Sequence, residues 1–301
     1  MPEINVGAPV GAFVDWLTAN FGPLFHAIST VMLVLLDAVL IVLTAPSPYI
    51  VILVLVALAL LERKWGFGLF TLLAFLLILA MGLWVEAMQT LALVVVATLI
   101  AVAIGIPVGI WAARSRRVSN VVRPILDFMQ TLPVFVYLIP AVFFFGIGAV
   151  PGVVATLVFA IPPAVRLTEL GIRSVDKEVT EAAVAFGAKP RQMLREVQLP
   201  LAMPSIMAGV NQTLMLALSC VVIAGLVGSG GLGAVVVRGI STLDVGAGFE
   251  GGIAVVFLAI YLDRLTSALA KPRRRRTKTR KAEAEPATTD QPADQPALAS
   301  S

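Results

Sequence analysis

The sequence predicts an all-α membrane protein with about eight transmembrane helices. Of its 301 residues, 59% are hydrophobic and only 13% are charged, whereas soluble domains are ~45–50% apolar. The mean hydropathy is +0.96, and several apolar runs reach the ~20 residues that a helix needs to cross the hydrocarbon core. These runs do not alternate with polar residues, which favours helices over the strands of a β-barrel.

The apolar runs place the expected spans at 24–45, 47–61, 67–85, 89–112, 132–149, 152–172, 206–227 and 252–269. Lys and Arg accumulate in the cytoplasmic loops of membrane proteins. If both termini are cytoplasmic, every loop rich in basic residues lies inside and Arg238 is the only basic residue in an outside loop. The charge pattern therefore favours an even number of spans with both ends in the cytoplasm.

The chain divides into four expected parts. Residues 1–23 carry Phe13 and Trp16 on one helical face and lack a basic stretch, which favours an interfacial amphipathic helix over a cleaved signal peptide. Residues 24–85 hold accessory transmembrane helices, and 86–270 hold the main transmembrane domain. The tail, 271–301, is basic as far as Lys281, as in segments that contact anionic lipid headgroups, and its remainder has the composition of a disordered chain.

The longest polar stretch between spans is the central loop, residues 174–205. Its first half predicts a short helix from Asp176 to Phe186, which Gly187 ends because glycine readily adopts positive φ. Pro190 is suited to the first turn of a second helix. The pattern predicts a helix, a sharp turn and a second helix on the cytoplasmic surface, where the alternatives are a docking surface for another protein and an amphipathic loop packed on headgroups.

The loop contains the pattern E-A-A-x3-G-x9-V-x-L-P, formed by Glu181, Ala182, Ala183, Gly187, Val197, Leu199 and Pro200. This pattern resembles the EAA signature of ABC importer permeases, E-A-A-x3-G-x9-I-x-L-P, with Val197 in place of Ile. The wider stretch 126–233 is similar to the branch of that family that carries glycine betaine and proline, and the resemblance extends over about 88–266. It implies a type I ABC importer fold with a methionine-permease-like core, in which 86–270 is the permease domain and 174–205 is the coupling loop.

The same resemblance implies the partners. In that family the loop docks on a cytoplasmic ATPase subunit, an extracytoplasmic protein delivers the substrate, and the permease sits in the inner membrane. We therefore expect ATPase-coupling roles for the seven matching residues, a homodimer in contact with membrane lipid, and no nucleic-acid partner. The implied cargo is a quaternary ammonium osmolyte such as glycine betaine, proline betaine, choline or carnitine.

Other motifs argue against an enzyme. The chain has no G-x-x-x-x-G-K-[ST] phosphate-binding loop, so we expect ATP to be bound and hydrolysed by the partner, with no cofactor of its own. Gly228–Gly233 matches G-x-G-x-x-G but follows a membrane span, so a flexible extracytoplasmic turn is expected rather than a dinucleotide site. The single histidine, His26, gives no basis for a metal site or a catalytic triad.

Charged residues within spans usually face protein or water because they are costly in lipid. Arg166 and Glu169 lie three residues apart on one helix and are expected to pair, and Asp263 and Arg264 are expected to join them across the bundle. A structural or gating salt bridge is favoured over substrate contact. The sequence does not assign Asp37.

One face of the seventh span suggests a transport path. Asn211, Met215 and Ser219 follow each other at intervals of four residues, and such polar residues line either a pore or a helix-to-helix contact. Aromatic residues of the fifth expected span offer cation–π surfaces to a quaternary amine, although packing or lipid contact is the favoured explanation; they are Phe135, Tyr137, Phe143, Phe144 and Phe145.

The sequence thus predicts the permease subunit of an importer of betaine-type osmolytes. Two alternatives remain open. The same machinery could carry an amino acid such as methionine, or the chain could work alone as a secondary transporter or channel. Uptake assays with and without an ATPase separate these hypotheses.

Overall fold

A computed structural model of the chain describes residues 7–60 and 65–270, and the regular elements within these ranges are all helical. The predicted basic and disordered tail at 271–301 lies outside the described residues. The helices are α1 (Gly7–Thr44), α2 (Pro48–Leu60), α3 (Trp65–Ala80), α4 (Trp84–Arg114), α5 (Arg116–Thr131), α6 (Val134–Phe145), α7 (Ala149–Arg173), α8 (Lys177–Ala185), α9 (Pro190–Gln192), α10 (Leu199–Ser219), α11 (Val221–Leu226), α12 (Gly231–Thr242) and α13 (Val245–Ala270), with a π-helical segment at Met193–Gln198.

The all-α polytopic fold is confirmed, but the count of eight spans is not. Five helical stretches among the described residues are long and apolar enough to cross a membrane, and a bent pair raises the number to six. Two predicted spans correspond to the shorter helices α2 and α3, of 13 and 16 residues. At ~1.5 Å per residue these helices extend ~20 and ~24 Å, less than the ~30 Å hydrocarbon core.

The first helix combines the expected amphipathic segment with the first span. It runs through Gly7–Thr44 and is interrupted at Phe21, whose φ and ψ are −114° and 16°. Pro23 follows within the helix and cannot supply the N–H of a regular helical hydrogen bond. The interruption lies close to residue 23 but does not separate the two parts, which form one continuous helical stretch.

The centre of the fold is a close contact among α4, α7 and α10. A Cβ added at Gly105 would lie 2.6 Å from the Ala164 Cβ, and one added at Gly109 would lie 2.7 Å from the Thr168 Cβ. Gly209 of α10 similarly approaches the backbone carbonyl of Pro163 on α7. Small residues allow membrane helices to approach closely when apolar side chains gain little by leaving lipid. These contacts hold α7 between α4 and α10, and α7 and α10 are the two helices that flank the central loop.

Helices α5 and α6 form the bent pair, with 94° between them. The apolar pattern predicts one span at 132–149 and no helix before it. The structure instead has the amphipathic α5, then a break at Leu132, whose extended conformation (φ −75°, ψ 137°) is the one favoured before a proline. Pro133 then begins the shorter apolar helix α6.

The glycine-rich stretch 228–233 combines a turn with the start of a helix: Gly228 and Gly230 have positive φ, and α12 begins at Gly231. Gly231 donates its backbone N–H to the Gln89 side-chain oxygen at 2.8 Å, and Leu232 donates to the Thr90 hydroxyl at the same distance. Two first-turn N–H groups of α12, which have no partner within their own helix, are thereby bound by side chains of α4. Gly231 and Leu232 are buried.

Candidate functional site

The first half of the central loop folds as predicted from sequence. The Asp176 carboxylate accepts a hydrogen bond from the Glu178 N–H at 3.0 Å and caps α8. At the other end Gly187 has φ +82°, and its N–H donates to the Val184 carbonyl at 2.8 Å. The Ala188 N–H reaches back to the Ala183 carbonyl at 3.0 Å. These two bonds make a Schellman motif, which explains the need for glycine at 187.

The second half of the loop joins α10 without a break. Lys189 donates its backbone N–H to the Gln192 side-chain oxygen at 2.9 Å, and Pro190 occupies the first helical turn. The π-helical segment Met193–Gln198 then leads directly into α10. At the base of the loop, Ile172 of α7 is buried with Ala202 and Ile206 of α10. This apolar cluster fixes both ends of the loop to the membrane domain.

Most residues in the middle of the loop are exposed. Glu181 and Ala182 are exposed, and Ala183 is half-buried. Val184 is 63% exposed and Phe186 is 92% exposed. Val179, Ala183 and Phe186, which share one side of the predicted helix, therefore do not form a packed face. Val184 and Phe186 thus leave apolar surface uncovered beside α8, a helix with no buried residues, and contiguous exposed apolar surface can mark an interaction site.

The other signature residues lie nearer the membrane domain. Val197 and Leu199 are half-buried, and Pro200 is exposed. Leu199 packs on the apolar cluster at the base of the loop. The seven residues of the signature thus extend from the exposed surface of α8 to the first turn of α10.

The predicted pairing of Arg166 with Glu169 is not the one that forms. Glu169 is buried and its carboxylate oxygen accepts from Arg123 at 3.0 Å and from Arg173 at 3.2 Å. Arg166 pairs with Asp127. Both arrangements connect α5 to α7, and the sequence predicts neither because its apolar pattern indicates only a loop between the expected spans at 89–112 and 132–149. The helical spacing of Arg123 and Asp127 was the available signal.

Asp263 also has a different partner from the one predicted. It accepts a hydrogen bond from the Asn211 side-chain amide at 2.8 Å, and Thr266 donates to the Asn211 carbonyl oxygen at 2.7 Å. Arg264 is exposed on the neighbouring position of α13. Asn211 therefore joins α10 to α13, as in the helix-to-helix alternative weighed from the sequence. Thr266 was not identified in advance.

The other two residues of the predicted path lie on the outer face of α10. Met215 and Ser219 are both exposed, and the Ser219 hydroxyl donates to the Met215 carbonyl at 3.0 Å. Exposed polar groups in a span are favourable where they meet water or protein rather than lipid. His26 and Asp37 are likewise exposed on α1.

The aromatic residues of α6 do not converge on one pocket. Phe144 stacks on Phe25 of α1 with ring centroids 4.5 Å apart, and Phe145 meets the same ring edge-on. The Tyr137 hydroxyl lies 3.0 Å from two backbone carbonyls at the end of α5, while Phe135 and Phe143 are exposed. Within the described chain, these side chains brace α6 against α1 and α5.

The chain is similar to permease proteins of transport systems. The family model described as binding-protein-dependent transport system inner membrane component matches residues 105–275. The chain is 51% identical over 264 residues to the glycine betaine/proline betaine transport system permease protein ProW of Escherichia coli strain K12, covering 87% of this chain and 74% of that one. It is 46% identical over 266 residues to the glycine betaine transport system permease protein OpuAB of Bacillus subtilis strain 168, covering 88% and 94%.

A third relative is the glycine betaine/carnitine transport permease protein GbuB of Listeria monocytogenes, 47% identical over 275 residues, covering 90% of this chain and 97% of that one. Among solved structures, an inward-facing form of the MetNI methionine ABC transporter superposes with a TM-score of 0.56 at 23% identity, covering 60% of this chain and 91% of that one. At this identity the likeness concerns the fold, and it confirms the methionine-permease-like core.

Proposed function

The chain belongs to the family of binding-protein-dependent transport system inner membrane components, and from this premise we propose that it is the permease subunit of an ATP-driven importer of betaine-type osmolytes. The proposed cargo is glycine betaine or a related quaternary ammonium compound. Three relatives that are 46–51% identical over most of this chain are permeases for glycine betaine. Their coverage extends over the central loop and the helices around it.

The observation that carries the ATP-driven mechanism is the exposed central loop. Its Schellman turn holds Phe186 in water at the end of α8, and its base is fixed to α7 and α10. A rigid protruding loop with an uncovered aromatic side chain is suited to a docking groove on a soluble partner. We assign the ATPase-coupling role to Glu181, Ala182, Ala183 and Gly187 on the exposed side, and to Val197, Leu199 and Pro200 at the base.

The transport cycle follows from this assignment. Two cytoplasmic ATPase subunits bind ATP and close, the loop carries that movement into α7 and α10, and the cavity changes sides. An extracytoplasmic binding protein delivers the osmolyte, which is released inward after ATP hydrolysis. Both termini lie in the cytoplasm in this arrangement. ATP is bound by the partner, and the permease itself needs no cofactor.

We further propose that two copies of the chain enclose the pathway. Met215 and Ser219 are exposed on α10 of a single chain, so a second copy would place them beside a shared cavity. Asn211, which lies on the same helix, is held by Asp263 and would set the orientation of that face. This arrangement gives a lining that is weakly polar, as release of a small zwitterion requires.

Reconstitution tests the proposal. The chain is placed in proteoliposomes with its ATPase and binding protein, and uptake of radiolabelled glycine betaine, choline and methionine is measured with ATP or with a non-hydrolysable analogue. We expect uptake of the quaternary amines with ATP only. Equal uptake in vesicles that lack the ATPase would establish a secondary transporter or channel instead, and uptake of methionine alone would overturn the proposed cargo.

A further inference from the structure

Helices α5 and α7 face each other with a matched set of polar side chains. Ser119, Arg123 and Asp127 follow at intervals of four residues on one face of α5. The Ser119 hydroxyl and Arg123 both donate to the Glu169 carboxylate, at 2.7 and 3.0 Å, while Asp127 accepts from Arg166. The two helices are antiparallel here and are joined at two successive levels: the Glu169 level, where Glu169 meets Ser119 and Arg123, and the Asp127 level, where Asp127 meets Arg166.

The contacts at the Glu169 level contribute more to joining the two helices than the Asp127–Arg166 pair does, because the Glu169 carboxylate is buried. The Glu169 side chain is 4% exposed, whereas the Asp127 side chain is 63% exposed. A carboxylate removed from water is unfavourable unless it is paired and hydrogen-bonded, and losing its partners costs more than losing an exposed pair. Glu169 receives three hydrogen bonds or ion pairs, from Ser119, Arg123 and Arg173.

Apolar packing holds α5 only weakly to the rest of the fold. Its buried residues are Ser119 and Leu126, so one apolar side chain of the helix is fully buried. The charged cluster also borders an open cavity of about 340 Å³ lined by Arg123, Asp127 and the facing side chains of α7. The polar contacts at Glu169 are therefore the main attachment of α5 to α7.

The same cluster lies at the root of the central loop. Arg173 is the last residue of α7, and Asp176 caps the first helix of the loop. Besides binding Glu169, Arg173 donates to the Ala112 carbonyl at the end of α4 at 2.8 Å, where the last carbonyls of a helix lack partners of their own. The helices α4, α5 and α7 are thus joined within about one helical turn of the start of the central loop.

We propose that Glu169 is a positioning residue that transmits movement of the central loop to α5 and, through the Leu132–Pro133 bend, to α6. The inference deepens the proposed function and rests on it for the source of the movement. When the ATPase displaces the loop, α7 carries the Glu169 carboxylate with it. Arg123 and Ser119 follow that carboxylate, and α6 moves with α5. Without the charge at 169, the loop moves and α5 stays behind.

The test uses Glu169→Gln in the complete complex with its ATPase and binding protein. Glutamine keeps the shape and one acceptor oxygen but removes the charge that holds Arg123 and Arg173. We expect the number of ATP molecules hydrolysed per osmolyte transported to rise about tenfold, within the ~5- to 150-fold range of coupling between distant sites. Glu250→Gln removes the same charge from an exposed position on α13 and should leave the ratio unchanged.

Hydrogen exchange measured by mass spectrometry separates positioning from a general loss of stability. In the wild-type complex, a non-hydrolysable ATP analogue should change exchange in both the central loop and α5. In Glu169→Gln the loop should still respond while α5 no longer does, and Glu169→Asp, which keeps the charge, should restore part of the response. If Glu169→Gln does not assemble, Asp127→Asn tests the exposed level and should weaken the α5 response.

The outcomes separate this inference from the proposed function. A wild-type complex that responds to the nucleotide analogue but transports no quaternary amine would overturn the cargo and leave the role of Glu169 standing. A Glu169→Gln complex with an unchanged ATP-to-osmolyte ratio and a normal α5 response would overturn the positioning role. If only Asp127→Asn assembles, a normal α5 response in that variant would overturn it as well.

Discussion

Replacing Gly187 with alanine should disturb the central loop without disturbing the membrane domain. Gly187 has φ +82°, and nothing lies within 4 Å of the position that an added Cβ would occupy. Steric crowding by neighbouring residues is therefore not the cost of the substitution. The cost is the backbone conformation, because a left-handed residue with a Cβ is disfavoured by roughly 1–2 kcal/mol.

That backbone cost sets the size of the effect. An energy of ~1–2 kcal/mol changes a population about 5- to 30-fold. If only the native turn fits the partner, the apparent affinity for the ATPase falls by up to that factor. Asparagine adopts positive φ more readily than alanine, so Gly187→Asn should lose clearly less affinity than Gly187→Ala.

The affinity is measured by titrating purified ATPase against the permease in nanodiscs, and coupling is measured as osmolyte transported per ATP. Gly66→Ala is the matched control, because Gly66 is helical and has equally open surroundings. Wild-type affinity and coupling in Gly187→Ala would refute the reasoning. So would a defect of the same size in Gly187→Asn, since that would make any side chain at 187, and not its φ, the cause.

Three further substitutions test other parts of the structure. Phe186→Ala removes a side chain that is 92% exposed, so the thermal stability of the isolated permease should be unchanged. Binding of the ATPase should weaken by about 1–3 kcal/mol, and unchanged binding would contradict the docking surface. Asn211→Ala leaves the Asp263 carboxylate without its amide donor and should lower the unfolding temperature by an amount equivalent to ~1–2 kcal/mol. The control is Gln212→Ala, at the exposed neighbouring position, which should have little effect. A similar loss in both would mean that the interhelical hydrogen bond contributes nothing specific. Gly109→Ala places a Cβ 2.7 Å from a backbone carbonyl of α7 and should destabilise the fold by ~1–3 kcal/mol. Thermal denaturation measures the effect, with Gly66→Ala as the control. Equal melting temperatures of the two variants would refute the close packing of α4 on α7.

The long apolar helices were predictable because their signal is local. The runs at 89–112, 152–172, 206–227 and 252–269 each overlap a long helical stretch of the structure, with ends that differ by a few residues or more. The Gly187 turn was predictable for a related reason. A helix that ends in glycine followed closely by proline carries its own stop and start signals, and the Schellman bonds involve residues only a few positions apart.

The contacts of the candidate site were harder to predict because their partners are distant in sequence. Glu169 was expected to bind Arg166, three residues away, but its carboxylate meets Ser119 and Arg123, which are 50 and 46 residues away. The start of α12 depends on side chains 142 residues earlier. In each case the polar group has a nearby candidate in the sequence, and only the packing of helices decides which partner it meets.

The π-helical segment Met193–Gln198 fixes the rotation of α10 relative to the loop. A π-turn accommodates one residue more than an α-turn, and one residue corresponds to about 100° around a helix axis. If this segment were regular α-helix with the same number of residues, the whole of α10 would turn, and Asn211 would leave Asp263 while Met215 and Ser219 changed direction. The number of residues between Gly187 and Leu199 is therefore an angular constraint as well as a length, and a one-residue insertion or deletion there would reorient a face of the membrane domain that begins a dozen residues further along the chain.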